Sequence, residues 1–136
     1  LGRDGARVIE LAARLGGGHD AELVEAVTGV KLNDLALAFA LGEEACVDST
    51  QALHGGGCTR FLVAPEGELQ RVEGVEEARA VDGVVDVRIY RRPGHLFGPL
   101  RHGSDRAGAV IAVGDDREQA LERARRAADG IRFVVE

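Results

Sequence analysis

Residues 8–20, Val8-Ile9-Glu10-Leu11-Ala12-Ala13-Arg14-Leu15-Gly16-Gly17-Gly18-His19-Asp20, hold the densest set of groups able to do chemistry. In extended backbone, residues i, i+2 and i+4 face one way. Glu10, Ala12 and Arg14 would therefore share a face, and a carboxylate and a guanidinium would look into one space while Ile9 and Leu11 pack behind. Three glycines then let the backbone approach a ligand closely or turn left-handed. The helix expected after them offers free N–H groups and the positive end of its dipole to an anion. A plain strand-loop-helix corner with a solvated ion pair fits the same residues, because glycine-rich turns alone are weak signals.

The elements around this stretch follow from periodicity. A strand is expected over residues 7–11. A helix over residues 20–28 has Asp20 as cap and Gly29 as stop. A second, over residues 32–41, carries Leu32, Leu35, Ala36, Phe39 and Ala40 on one stripe, with Asn33 as cap at its start and Gly42 as its C-cap. Periodicity is lost over residues 43–59, which read as a linker. Strands are expected over residues 61–63 and 69–72, the second as hairpin partner of the first, then a helix over 75–81. The strand over residues 84–90 would bury Val85, Val87 and Ile89. A long connection, residues 95–106, precedes an apolar strand over 108–113. The closing helix over 116–129 has Asp116 as cap and Gln119 completing a capping box, and a last strand covers 131–135. The order ββαββαβ makes residues 60–136 a small antiparallel or mixed sheet with helices on one face, an α+β class.

Composition narrows the function. The chain has 136 residues, 45% of them apolar, and a net charge of −6, with Lys31 its one lysine. An acidic balance argues against a nucleic-acid partner. No stretch is long enough for a membrane span and no signal-peptide pattern is present, so the expectation is a cytoplasmic protein with no membrane partner. Cys46 and Cys58 are too few for a disulfide framework and lack zinc-ligand spacing; they read as ordinary thiols, and His54 with Cys58 lacks the orienting third group a catalytic pair needs. His95 and His102 have no completing ligand for a metal shell. Asp105-Arg106 reads chiefly as a turn pair, with substrate contact the other reading.

"VIELAARLGGGHDAELVEAVTGVKLNDLALAFALGEE", residues 8–44, resembles the last segment of the ATP-grasp fold, where a Glu-x-Asn-x-Arg strand end is followed by glycines and two helices. "RFLVAPEGELQRVEGVEEARAVDGVVDVRIYRRPG" and "SDRAGAVIAVGDDREQALERA" look like the small C-terminal domain of ATP-grasp carboxylate-amine ligases, the L-amino-acid-ligase, biotin-carboxylase-like and carbamoyl-phosphate-synthase-like group. The resemblance implies three parts: the end of an ATP-grasp domain over residues 1–45, a linker over 46–59, and the small domain over 60–136. It implies ATP and Mg as cofactors, with small-molecule carboxylate and amine as substrates joined through an acyl-phosphate. Glu10 matches the Mg-holding glutamate, and Arg14 the arginine near the transferred phosphate and acyl group. Gly16, Gly17, Gly18 and His19 fall where the cofactor would be bound. Ala12 departs from the pattern, where asparagine is usual.

Lysines on earlier strands and a glycine-rich lid, which such enzymes use to hold nucleotide, have no counterpart here, and no Walker-type loop occurs. The expectation is therefore a C-terminal fragment that relies on a remaining ATP-grasp portion and is inactive alone. The alternative is a non-catalytic binding module in which the small domain serves homodimer formation.

Overall fold

The computed structural model describes Val8, residues 11–47 and residues 52–136. Its centre is β5 (Gly108–Gly114), all seven of whose residues are buried. A strand that is apolar at every position, Gly-Ala-Val-Ile-Ala-Val-Gly, has no face to offer water and must lie between neighbours. β1 (Gly56–Leu62) pairs antiparallel along one side of it and β3 (Val84–Ile89) along the other.

Adjacent residues of a strand point to opposite faces, and Gly56 and Gly57 show what covers each. A Cβ on Gly57 would lie 2.6 Å from Val27 and 2.8 Å from Leu23 of α1 (Asp20–Thr28); one on Gly56 would lie 2.5 Å from the backbone at Asp116 and Arg117. Helix α1 thus covers one face, and α4 (Arg117–Asp129) starts on the other. Helix α3 (Val75–Arg79) packs beside β3 and α4. A second sheet, in the order β4 (Leu96–Phe97), β2 (Gly67–Glu73), β6 (Arg132–Val135), joins the first through a core that includes Leu62, Leu69, Val87, Phe97, Val110, Ala127 and Phe133.

The α+β class holds, and so does the expected element order from residue 20 onward, with β4 and a 3-10 turn (Gly103–Asp105) as additions inside the connection over residues 95–106. The expected hairpin does not form. β1 pairs β5, and β2 pairs β4 and β6, because β5 needs a neighbour on both sides and the chain leaves β1 through Pro65 toward the other sheet. β1 also starts at Gly56, five residues before the expected strand. Val85 is exposed rather than buried: a register shift between Val84 and Asp86 turns it outward and sets Val84 and Val87 toward the core.

Caps differ in detail. Asp20 is the first residue of α1 and His19 its N-cap. Helix α2 (Leu32–Ala40) is capped by Lys31 rather than Asn33 and ends at Leu41. Gly42, in the left-handed region, follows as part of a Schellman turn, with Glu43 N donating to Ala38 O at 2.9 Å and Gly42 N to Phe39 O at 3.1 Å. Asp116 does cap α4, accepting from Gln119 N at 2.8 Å. Gln119 reaches back one residue further than a capping box does and accepts from Asp115 N. Of the strand expected over residues 7–11, only Val8 and Leu11 are described and neither is in a strand; among the described residues, no neighbouring strand takes up their backbone bonds. No helix among the described residues is long and apolar enough to cross a membrane.

Candidate functional site

The glycine-rich loop enters α1 through two successive left-handed residues, Gly18 at φ 73° and His19 at φ 69°. His19 is the one non-glycine residue with positive φ among the described residues. That conformation costs an L-residue about 1–2 kcal/mol, so something must hold the side chain where it is.

The holder is the small domain. Phe61 of β1 and Arg88 of β3 both stand opposite Ala109 of β5, and residues directly opposite share a face. Ala109 contributes only a methyl group between these two large side chains. The His19 imidazole meets both of them, stacked on Phe61 at 6.3 Å between centroids and 29° between planes, with its Nδ1 3.2 Å from Arg88 Nη1. Its Nε2 is hydrogen-bonded to the Tyr90 hydroxyl. The Arg106 guanidinium also lies over the Phe61 ring, 3.6 Å from its centroid.

An ionic chain backs the histidine. Glu22 of α1 accepts from Arg88 Nη1 at 2.8 Å and lies 3.3 Å from His19 Nδ1; Arg88 Nε donates to Asp86 at 2.6 Å. Burial opposes charge on Glu22, but its own backbone N–H, His19 and Arg88 outweigh it and hold the carboxyl below its ordinary value. The bond to Asp86, with help from Glu22 and against burial, holds Arg88 above its own. Burial pushes the Tyr90 phenol up, so it stays a neutral donor or acceptor.

Around this anchor the expected site residues stand as follows. Arg14 is exposed in a bend and donates to Leu15 O at 2.9 Å. Gly16, Gly17 and Gly18 are exposed. Gly17 has open space where a Cβ would point, whereas Gly16 faces the Asp20 carboxylate and Gly18 faces Phe61 at 3.2 Å. Glu10 lies outside the described residues. Among the described residues, no group of three or more His, Cys, Asp or Glu side chains could hold a metal. Asp20 and Glu22 occupy the first turn of α1, so its positive end already faces two carboxylates.

Phe61, Arg88 and Tyr90 were not singled out by sequence, and Arg106 only as half of a turn pair. Tyr90 is 71 positions from His19, and no local pattern reports such a pairing. Asp105 does serve the turn, accepting from the backbone of Arg101 and His102, while Arg106 leaves it for Phe61. The Cys58 thiol is pushed up by burial, against Arg60 and Arg117, which suits a structural thiol rather than a nucleophile.

The family described as L-amino acid ligase C-terminal domain 2 matches residues 60–136. A relative from Sinorhizobium fredii, the protein y4rH, is 35% identical over 134 residues, covering 96% of this chain and 27% of its own length. The chain thus spans about a quarter of that curated relative. Among solved structures, the L-amino acid ligase from Bacillus licheniformis superimposes with a TM-score of 0.78 at 24% identity, over all of this chain and 34% of its own. Phosphoribosylglycinamide synthetase from Anaerococcus prevotii does so with 0.77 at 16%, over all of this chain and 35% of its own. N5-carboxyaminoimidazole ribonucleotide synthetase from Thermotoga maritima gives 0.59 at 22%, over 88% and 31%. The fold shared with these proteins is that of a C-terminal ATP-grasp fragment.

Proposed function

Because the chain belongs to the L-amino acid ligase C-terminal domain 2 family, we propose that it is the C-terminal part of an ATP-dependent carboxylate-amine ligase. Residues 1–45 would end the ATP-grasp domain, 46–59 link, and 60–136 support. The observation that carries this reading is the left-handed His19, bolted between Phe61 and Arg88. It fixes the end of the glycine loop to the small domain and leaves Gly17 open to meet a ligand.

Each residue then has a task. The amides of Gly16, Gly17, Gly18 and His19 cradle a phosphate or a substrate carboxylate, and Gly17, with nothing beside it, allows the closest approach. With Asp20 and Glu22 already at the start of α1, the loop amides rather than the helix dipole supply the attraction. Arg14 steadies charge developing on the acyl-phosphate, the kind of stabilisation on which phosphoryl transfer depends. The hard oxygen of Glu10 suits Mg, which bound there with ATP would neutralise the phosphates. One carboxylate is not a complete shell, so the other donors come from the remaining ATP-grasp portion, and this chain alone is inactive.

In the intact enzyme, Glu10→Ala should abolish ligation without changing thermal unfolding. Ligation at the normal rate would sink the assignment. Ala12, standing where the family pattern has asparagine, favours a second reading, a binding or dimerisation module that has lost catalysis. Calorimetric titration of Mg-ATP into the intact protein separates the two: a module gives neither binding nor a difference on Glu10→Ala.

A further inference from the structure

The return from β3 to β5 encloses a cleft of about 510 Å³, lined by Arg91, His95, Phe97, Arg101, His102 and Asp105 among others. Its size is that of a small-molecule site. In a chain of net charge −6, it gathers two guanidinium groups and two imidazoles against one carboxylate. That carboxylate is committed elsewhere: Asp105 accepts from the backbone N–H of Arg101 at 2.9 Å and of His102 at 2.7 Å. It thereby pins the backbone of both cleft residues.

Arg71, Arg79, Arg88, Arg123 and Arg132 each meet a carboxylate; Arg91 and Arg101 belong to the arginines that meet none among the described residues. Arg91 is instead held by two carbonyls, Ser104 O at 2.7 Å and Tyr90 O at 3.3 Å. A guanidinium has five N–H donors, so the fork is fixed while its charge stays uncompensated. The His95 ring packs edge-on to Phe97, 4.8 Å between centroids, which sets it in the wall. One held guanidinium, that of Arg91, and a second carried on the pinned backbone of Arg101, with imidazoles beside them, match two negative charges on a planar or tetrahedral oxyanion.

We propose that this cleft binds a small molecule through a doubly charged oxyanion, a phosphate ester or a dicarboxylate. The site is distinct from the glycine loop and stands or falls independently of the ligase reading. Its test is titration of the ¹⁵N-labelled 136-residue chain with inorganic phosphate, with ADP without metal, and with succinate. Saturable shifts at amides of residues 91–106 are expected, whether or not the amides of residues 16–19 also respond. Arg101→Gln should weaken binding about tenfold, as loss of one charge-assisted contact does, and Arg91→Gln comparably. Arg71→Gln, outside the cleft, should leave it unchanged. Tighter binding of ADP than of phosphate assigns a nucleotide, and preference for succinate a dicarboxylate. If none of the three gives a saturable shift, or if Arg101→Gln binds as well as the parent, the proposal is overturned. Arg101 makes no side-chain bond among the described residues, so this variant stays informative even if Arg91→Gln unfolds.

Discussion

Helices α1 and α2 together fully bury a single side chain, Ala21, whereas every residue of β5 is buried. On α2, Leu37 and Phe39 are each 61% exposed and Leu41 is 66% exposed, in a helix that reads as amphipathic. The two regions are therefore held by different physics. The small domain is held by apolar area removed from water. The glycine loop and α1 are held by Gly57 allowing α1 close to β1, and by one imidazole that meets Phe61 and Arg88. The groups proposed for chemistry sit on the lightly held side, while the side chains that aim them belong to the rigid one.

The largest expected effect is on the rigid side. Leu69→Ala removes a fully buried side chain from the core between the sheets and should cost about 2–5 kcal/mol in urea unfolding. A cost no greater than that of a surface change would break the contrast at once. Next comes the anchor. Tyr90→Phe deprives His19 Nε2 of its partner and should cost about 0.5–1.5 kcal/mol. Amide exchange should quicken at residues 18–23 and not along β5; uniform quickening would mean that the two regions open as one.

The ionic chain behind the anchor sharpens the comparison through pH. Glu22 is held below its ordinary pKa in the fold, so it contributes stability that is full above the unfolded value and lost as pH falls through the folded one. Stability should drop from about pH 4.5 downward, and Glu22→Gln should drop less between pH 7 and pH 3, read from urea midpoints. Parallel losses in the two chains would remove Glu22 from the account. The smallest effect is expected at Phe39. Exposed on α2, its replacement by alanine should change stability by at most about 0.5 kcal/mol.

What could be read from sequence divides along the same line. The buried strand β5, the Asp116 cap and the helix ends at Gly29 and Gly42 are local patterns, and they stand where periodicity and capping put them, Gly42 one residue past the Leu41 cap. The misread hairpin and Val85 concern which strand lies beside which, and in what register. A short loop after residue 62 reads as a hairpin turn unless it is known that β5 must be flanked on both sides. The His19 anchor is harder still. Its distant partners come from β1, from β3 and from Tyr90 directly after β3, and only the pairing of both strands with β5 assembles them. The residue types over residues 8–20 are plain in the sequence, but the reason their histidine is left-handed lies in the distant half of the chain.

The pairing of β5 with β1 and β3 also bears on how the chain comes off the ribosome. Both flanking strands are synthesised before the strand they share, so neither has its sheet neighbour until residue 114 has emerged. Such long-range pairings form slowly and leave strand edges unpaired meanwhile. Translation that stalls before residue 108 would yield a nascent chain with two orphan strands, a substrate for chaperones rather than a partly finished domain.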